Sequence, residues 1–265
     1  MKRFVRLLFA FSTLALTHNV TANNTTISAN KTAGTSKTKQ NRLTEKFIQK
    51  QISQDVTIGR AIKTIVGHYP QQAASIVGTA LDLYPDKYKE IIHAAISTQP
   101  TLADEVVTMA LNKEISSCTS IVETAINADP SYIDFVVTAA ANSTPEQLSE
   151  IVRIAVITEP DSADYIVQSL AREHPSKIVE ILSSAIVAVP FVGAYVVEAL
   201  LAVFPNDAEK VITAAIRESG DERDNIRKII AIAQNSGVNA KKIELYALKG
   251  GVTVEELSKI LDKSQ

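Results

Sequence analysis

Cysteine occurs once in this chain, at Cys118, tryptophan not at all, and histidine four times. A lone cysteine excludes an intramolecular disulfide. The histidines in the body of the chain, His68, His93 and His174, are dispersed, and none has a partner at metal-ligand or catalytic spacing. Glycine is also sparse, with nine residues. No glycine-rich phosphate loop, Gly-x-Ser-x-Gly or His-Glu-x-x-His motif is present. No segment alternates between apolar and polar residues with period two, the pattern of a half-buried strand. These absences leave no recognisable active site, metal centre or cofactor site, so the expectation is a non-enzymatic protein that needs no cofactor.

Proline carries the organisation. It stands at positions 70, 85, 100, 130, 145, 160, 175, 190 and 205 and nowhere else. Each gap is fifteen residues, or thirty across the missing rung at Ile115. A fixed period over such a length marks a repeat architecture. With each proline counted as position 1, apolar residues recur at positions 4, 7, 8, 11 and 12. Leu148, Ile151, Val152, Ala155 and Val156 show the pattern in one rung; Ala208, Val211, Ile212, Ala215 and Ile216 show it in another. That spacing is one apolar stripe on a helix. Proline suits the start of a helix, and the residue before it is pushed out of the helical region. Each rung is therefore one short helix and a tight turn.

A longer period lies inside the first. Position 11 is alanine in alternate rungs, at Ala95, Ala125, Ala155, Ala185 and Ala215. In the rungs between, position 8 is valine, at Val77, Val107, Val137, Val167 and Val197. Helices thus alternate between two environments, and the structural unit is a thirty-residue antiparallel pair. Stacked pairs make an all-α fold, an α-solenoid.

Residues 1–22 read as a secretory signal peptide: Lys2, Arg3 and Arg6, then an apolar run from Leu7 to Leu16, then Val20-Thr21-Ala22 as the cleavage pattern. Residues 23–43, rich in Asn, Thr, Ser and Lys, are expected to form a disordered linker. The solenoid is expected over 44–220, opening with a helix striped by Phe47, Ile48 and Ile52, and with Asp55 in the proline's phase. Residues 221–265 are expected to add three short helices as a cap, the last opened by a capping box at Thr253–Glu256 and striped by Val254, Leu257, Ile260 and Leu261. Once the signal is removed, no membrane span is expected. The uncharged run from Ile181 to Val197 is slightly too short to span, and Pro190 keeps the ladder's phase within it.

Charge is unevenly placed. Residues 23–54 hold six Lys or Arg against one acid, whereas residues 55–220 hold ten against twenty-one acids. An acidic array repels phosphate backbones, so no nucleic-acid partner is expected. Two sets of residues stand out as candidate binding positions. Position 6 is polar in most rungs but aromatic at Phe135, Tyr165 and Tyr195, thirty residues apart. These rings either pack between helices or line a contact surface for an extended ligand. Phe191 and Val192 are apolar where most rungs are polar, which suggests an apolar face, with possible self-association through 181–204. Cys118, at position 4, falls in the apolar stripe and reads as a small buried hydrophobe.

By its period the stretch from about residue 55 to 220 resembles α-solenoids in general, the class that includes tetratricopeptide and HEAT arrays. Its thirty-residue unit is shorter than theirs, and their signature residues are absent. The resemblance implies a scaffold with an extended groove for proteins or peptides. The expected protein is exported to the bacterial periplasm or cell surface and binds a protein or peptide partner. The alternatives are a self-assembling component of an envelope or matrix, and an enzyme with a site in the concave face. Circular dichroism of the mature chain should show helix with essentially no strand; a substantial β component would overturn the repeat reading.

Overall fold

Each proline of the ladder opens a single turn of 3-10 helix, and the α-helix proper begins three residues later. Pro70–Gln72, Pro85–Lys87 and Pro145–Gln147 are such turns, followed by helices from Ala73, Tyr88 and Leu148. The computed structural model describes the backbone of residues 28–262 and the side chains of residues 39–260. The chain divides into two units, Met1–Gln40 and Asn41–Gln265. In the first unit the described residues, 28–40, are helical; the signal peptide expected over 1–22 lies outside the described residues.

The helices in chain order are α1 (Ser28–Ile52), α2 (Ile58–His68), α3 (Ala73–Leu83), α4 (Tyr88–Thr98), α5 (Ala103–Asn112), α6 (Cys118–Ala128), α7 (Ile133–Ser143) and α8 (Leu148–Thr158). They continue with α9 (Ala163–Glu173), α10 (Ile178–Ala188), α11 (Gly193–Val203), α12 (Ala208–Ser219), α13 (Arg223–Asn235), α14 (Ala240–Lys249) and α15 (Val254–Asp262). The described residues contain no strand. The first helix corrects one expectation: α1 starts at Ser28, so residues 28–43 are helical where a linker without regular structure was expected. No proline interrupts them, and the helix they extend is anchored at its other end by buried Thr44 and Ile48.

The joint between rungs is one residue long. Tyr69, Tyr84, Thr144, His174 and Phe204, each just before a proline, leave the helical region with φ between −137° and −123°. Their backbone groups are nevertheless both used. The N–H of Tyr84 closes the preceding helix on the Ala80 carbonyl at 2.9 Å, while its own carbonyl accepts from Lys87 N–H at 3.0 Å. The same pair of bonds recurs at Thr144, with Ala140 and Gln147 as partners. No water is needed to satisfy the turn.

Two rungs lack proline and solve the problem in another way. Asp55 and Glu114 take left-handed backbone conformations, with φ of 60° and 50°. Thr57 and Ser117 then cap the next helix by accepting from Arg60 N–H and Ser120 N–H. Both α2 and α6 begin at position 4, as in the proline rungs, so the phase survives the loss of the residue that marks it.

Alternate helices pack side by side. The chain of contacts α2–α4–α6–α8–α10–α12–α14 forms one layer, and α3–α5–α7–α9–α11–α13 forms the other. Within a layer, most side-chain contacts between helices fall at an offset of thirty-one residues. Thr138 of α7 meets Ser169 of α9, and Asp134 of α7 accepts from Tyr165 of α9. Two bonds of equal offset on successive turns require α7 and α9 to be parallel, so α8 runs back between them. Thirty residues separate equivalent positions, and the further residue is a stagger: position 5 of one helix faces position 6 of the next in its layer. In the other layer, Gly59 with Glu90 and Ser149 with Glu180 repeat that relation.

The stripe is the core. All five position-8 valines are fully buried, and so are Ala125, Ala155, Ala185 and Ala215. Beyond the last proline, α13, α14 and α15 continue the packing through Ile226, Ile229, Ile243, Leu257 and Ile260. The capping box of α15 is present: Glu256 accepts from Thr253 N–H, and Thr253 accepts from Glu256 N–H. Val254, expected in its stripe, is exposed instead. Leu261 lies beyond the described side chains.

Because Ala155 and Ala185 are fully buried between packed helices, leucine at either site overpacks the contact. Each variant should lose roughly 1–3 kcal/mol, read as a lower urea midpoint. Unchanged midpoints in both would mean that the alanines face solvent.

Candidate functional site

Position 6 faces outward, because it falls one residue short of the buried pair at positions 7 and 8. The three aromatic residues found there are therefore displayed. Phe135, Tyr165 and Tyr195 are 46, 50 and 61% exposed. They stand on α7, α9 and α11, consecutive members of one layer, at equivalent points of parallel helices. They do not serve mainly as packing between helices. Phe135 leans on the half-buried Tyr132, with ring centroids 5.6 Å apart. Phe191, in the 3-10 turn before α11, is also exposed at 61%.

Val192 is a correction. It is fully buried and cannot contact a ligand on this surface. It occupies position 3, the last residue of the 3-10 turn, where Leu102 and Tyr132 of sister rungs also pack against the core. The uncharged run from 181 to 197 is explained mostly by such burial. Ile181, Leu182, Ile186, Val189, Val196 and Val197 all lie in the core, leaving Val187, Phe191 and Tyr195 as its large exposed side chains.

Beside the aromatics stand carboxylates that repeat counting alone did not pair with them. Tyr165 Oη donates to Asp134 Oδ2 at 3.1 Å. Asp104 and Asp164 stand at the same position in their rungs as Asp134, so each aromatic has an aspartate thirty-one residues before it in the chain. The Asp134 charge, together with the hydrogen bond to its carboxylate, raises the Tyr165 phenol above its ordinary value. This stripe has little countercharge. The rungs that begin at 70, 100, 130, 160 and 190 contain nine acids and two basic residues, Lys113 and Arg172. Lys113 pairs with Asp82 at the far end of its helix, and Arg172 donates to Gln168.

The other layer is different. Its rungs hold eight bases beside twelve acids, and several are paired locally: Glu150 with Arg153, Glu180 with Lys177, Asp207 with Lys210. The Lys177 hydrogen bond, followed by that from Ser149, holds the Glu180 carboxyl below its ordinary value. An open cleft of about 740 Å³ crosses α2, α4 and α6, lined by Arg60, Lys63, Lys89, Glu90, His93 and Glu123 among others. Gly59 N–H donates to Glu90 Oε1 at 2.9 Å within it. The cleft mixes both signs of charge and was not foreseen from the sequence, since its residues come from three different rungs.

Cys118 is buried, with its thiol 3.4 Å from Thr144 Oγ1, and burial pushes the thiol pKa up. A protonated thiol in the core is a poor nucleophile. Among the described residues, no group of three or more His, Cys, Asp or Glu is placed to hold a metal ion. None of the described helices is long and apolar enough to cross a membrane. Compared with known proteins, the chain matches no family model, no curated protein and no solved structure.

The raised phenol of Tyr165 gives a prediction with a definite sign. Folding holds its proton more tightly, so the stabilisation is complete below the ordinary tyrosine value of about 10 and is lost as pH rises through the higher folded value. Asp134→Asn should move the Tyr165 titration down. Tyrosinate absorbance, taken as the difference from Tyr165→Phe in each background, reads it directly; an unmoved midpoint would show that Asp134 is not the cause.

Proposed function

We propose that this chain is an exported, non-enzymatic scaffold that binds a protein or peptide across the layer formed by α5, α7, α9 and α11. The observation that carries the reading is the row of exposed rings, Phe135, Tyr165 and Tyr195, with Phe191 beside the last. Aromatic side chains supply large contact area at little entropic cost, and such anchors dominate protein interfaces. Left in water, a repeated row of them costs solvation and stabilises nothing in the core. Parallel helices at regular intervals present the row as a linear track, suited to an extended segment that crosses several rungs. The basic and apolar start of the chain, at residues 1–22, supports export to a bacterial periplasm or cell surface.

A second reading keeps the same surface but makes the partner another copy of the chain, as in an envelope or matrix assembly. Exposure of Val187, Phe191 and Tyr195 within 181–204 favours it. Light scattering separates the two: concentration-dependent growth means assembly, and a constant monomer means a foreign partner.

The deciding variant is F135A/Y165A/Y195A. Half-exposed rings contribute little to folding, so its thermal midpoint should stay within a few degrees of the wild type. It should fail to recover the partner that the wild type captures from envelope extracts. A collapse in melting temperature would return the aromatics to a packing role, since truncating a buried aromatic costs about 3–5 kcal/mol. An unchanged capture profile would remove the row from the binding surface.

A further inference from the structure

We propose that the partner segment is cationic and extended, in polyproline II conformation, with a lysine or arginine at every third residue. The inference rests on the reading above, that the aromatic row of α7, α9 and α11 is a binding track, and it assigns the chemistry of what lies there.

Among the described residues, Asp104, Glu105, Asp161, Asp164 and Glu198 form no ion pair and no side-chain hydrogen bond. Asp134 has only a phenol as partner. In the opposite layer three carboxylates, Glu150, Glu180 and Asp207, are each answered by a lysine or arginine of the same rung. Both layers are acidic, but one holds eight bases against twelve acids and the other only two against nine, and the layer poorer in bases is the one that displays the row of aromatic rings. An aspartate next to a ring makes a composite site for a cation: the carboxylate binds the charge, and the ring face attracts it through its quadrupole. Asp134 with Tyr165 is one such site by direct contact, and the equal offset of Asp104 from Phe135 and of Asp164 from Tyr195 extends it to three in line. A purely apolar ligand would leave the carboxylates desolvated and unpaired, and an acidic one would be repelled.

Spacing then selects the backbone. Packed helices stand about 8–10 Å apart, so the three sites repeat at that interval across the layer. A polyproline II helix advances about 3.1 Å per residue with three residues per turn, close to 9 Å. One side chain per turn then falls on each site. A β-strand returns to the same face every second residue, about 6.6–6.8 Å, and drifts out of register after one rung. Because polyproline II has no internal hydrogen bonds and is already populated in free chains, ordering it on the track is inexpensive.

The test uses the full mature protein and four labelled peptides followed by fluorescence anisotropy. These are four Lys-Pro-Pro repeats, the same frame with Glu or with Gln in place of Lys, and a peptide with four lysines at alternate positions. The Lys-Pro-Pro peptide should bind tightest and weaken as salt rises toward 0.5 M, where charge is screened within a few ångströms. The variant D104N/D134N/D164N should remain folded and bind it roughly tenfold more weakly, the loss expected from removing three exposed charge contacts. Equal binding of the Gln or Glu peptide, or no effect of the Asn variant, overturns the cationic assignment. If F135A/Y165A/Y195A then still abolishes binding, the aromatic track stands without it. Normal binding by that folded aromatic variant removes the track itself. Equal affinity for the alternate-lysine peptide overturns the three-residue register. A dimer that the Asn variant dissociates would identify a second copy as the occupant and overturn the partner proposed. Failure of the wild type to bind any of the four overturns the assignment, and the extract capture experiment then judges the track.

Discussion

The whole array depends on a single steric clash. A proline forbids the helical conformation to the residue before it, and that residue, Tyr84 or Thr144 for example, makes the entire turn. It has no room to wander, because its N–H and its carbonyl are both committed to flanking helices. A turn of fixed length gives the helices that run between two prolines the same length, eleven residues in α3, α4 and α7 to α11, and helices of equal length leave the stripe at the same height. The rungs at 55 and 115 show that the constraint concerns geometry. Asp55 and Glu114 take left-handed conformations, and Thr57 and Ser117 supply the caps, without any proline.

Once the turns are fixed, burial follows. Positions 7, 8, 11 and 12 close each helix against its partner and against the next member of its layer. The β-branched residues and alanines found there fill the space with few rotamers and little lost entropy. Glycine is required at close approaches rather than in the helices at large. A Cβ on Gly250 would lie 2.7 Å from Ile216 Cγ2 and 3.1 Å from the Thr213 carbonyl, so α12 and the turn after α14 touch there through a bare backbone.

The two layers share a core but differ at the surface. One carries mixed charges that pair within single rungs; the other carries aspartates, glutamates and exposed rings with almost no cation among them. Both layers fold with the same stripe and the same turns, so this difference is not what holds the array together. It is available for recognition. Position 6 of α7, α9 and α11 carries related aromatic side chains in successive helices of one layer, and that repetition is the ground for proposing it as a binding surface.

Much of this was legible in the linear chain. Proline spacing and the apolar stripe sufficed for the all-α solenoid, for the helix pair as its unit and for the burial of Ala155 or Val167, because these depend on local sterics and on helical periodicity. The aromatic row was also visible, but its exposure was open, since position 6 borders the stripe. Val192 looked like its neighbour Phe191 and proved to be core, because a 3-10 turn rotates successive side chains by a different angle from an α-helix. The start of α1 at Ser28 was missed because polar composition alone does not end a helix. What only the tertiary structure decided is the stagger. The sequence repeats every thirty residues, but packed helices meet at thirty-one, so Asp134 meets Tyr165 and not Asp164. A period along the chain is set by covalent spacing and turn sterics; the register across a layer is set by how ridges of one helix settle into grooves of the next, and no single rung contains that information.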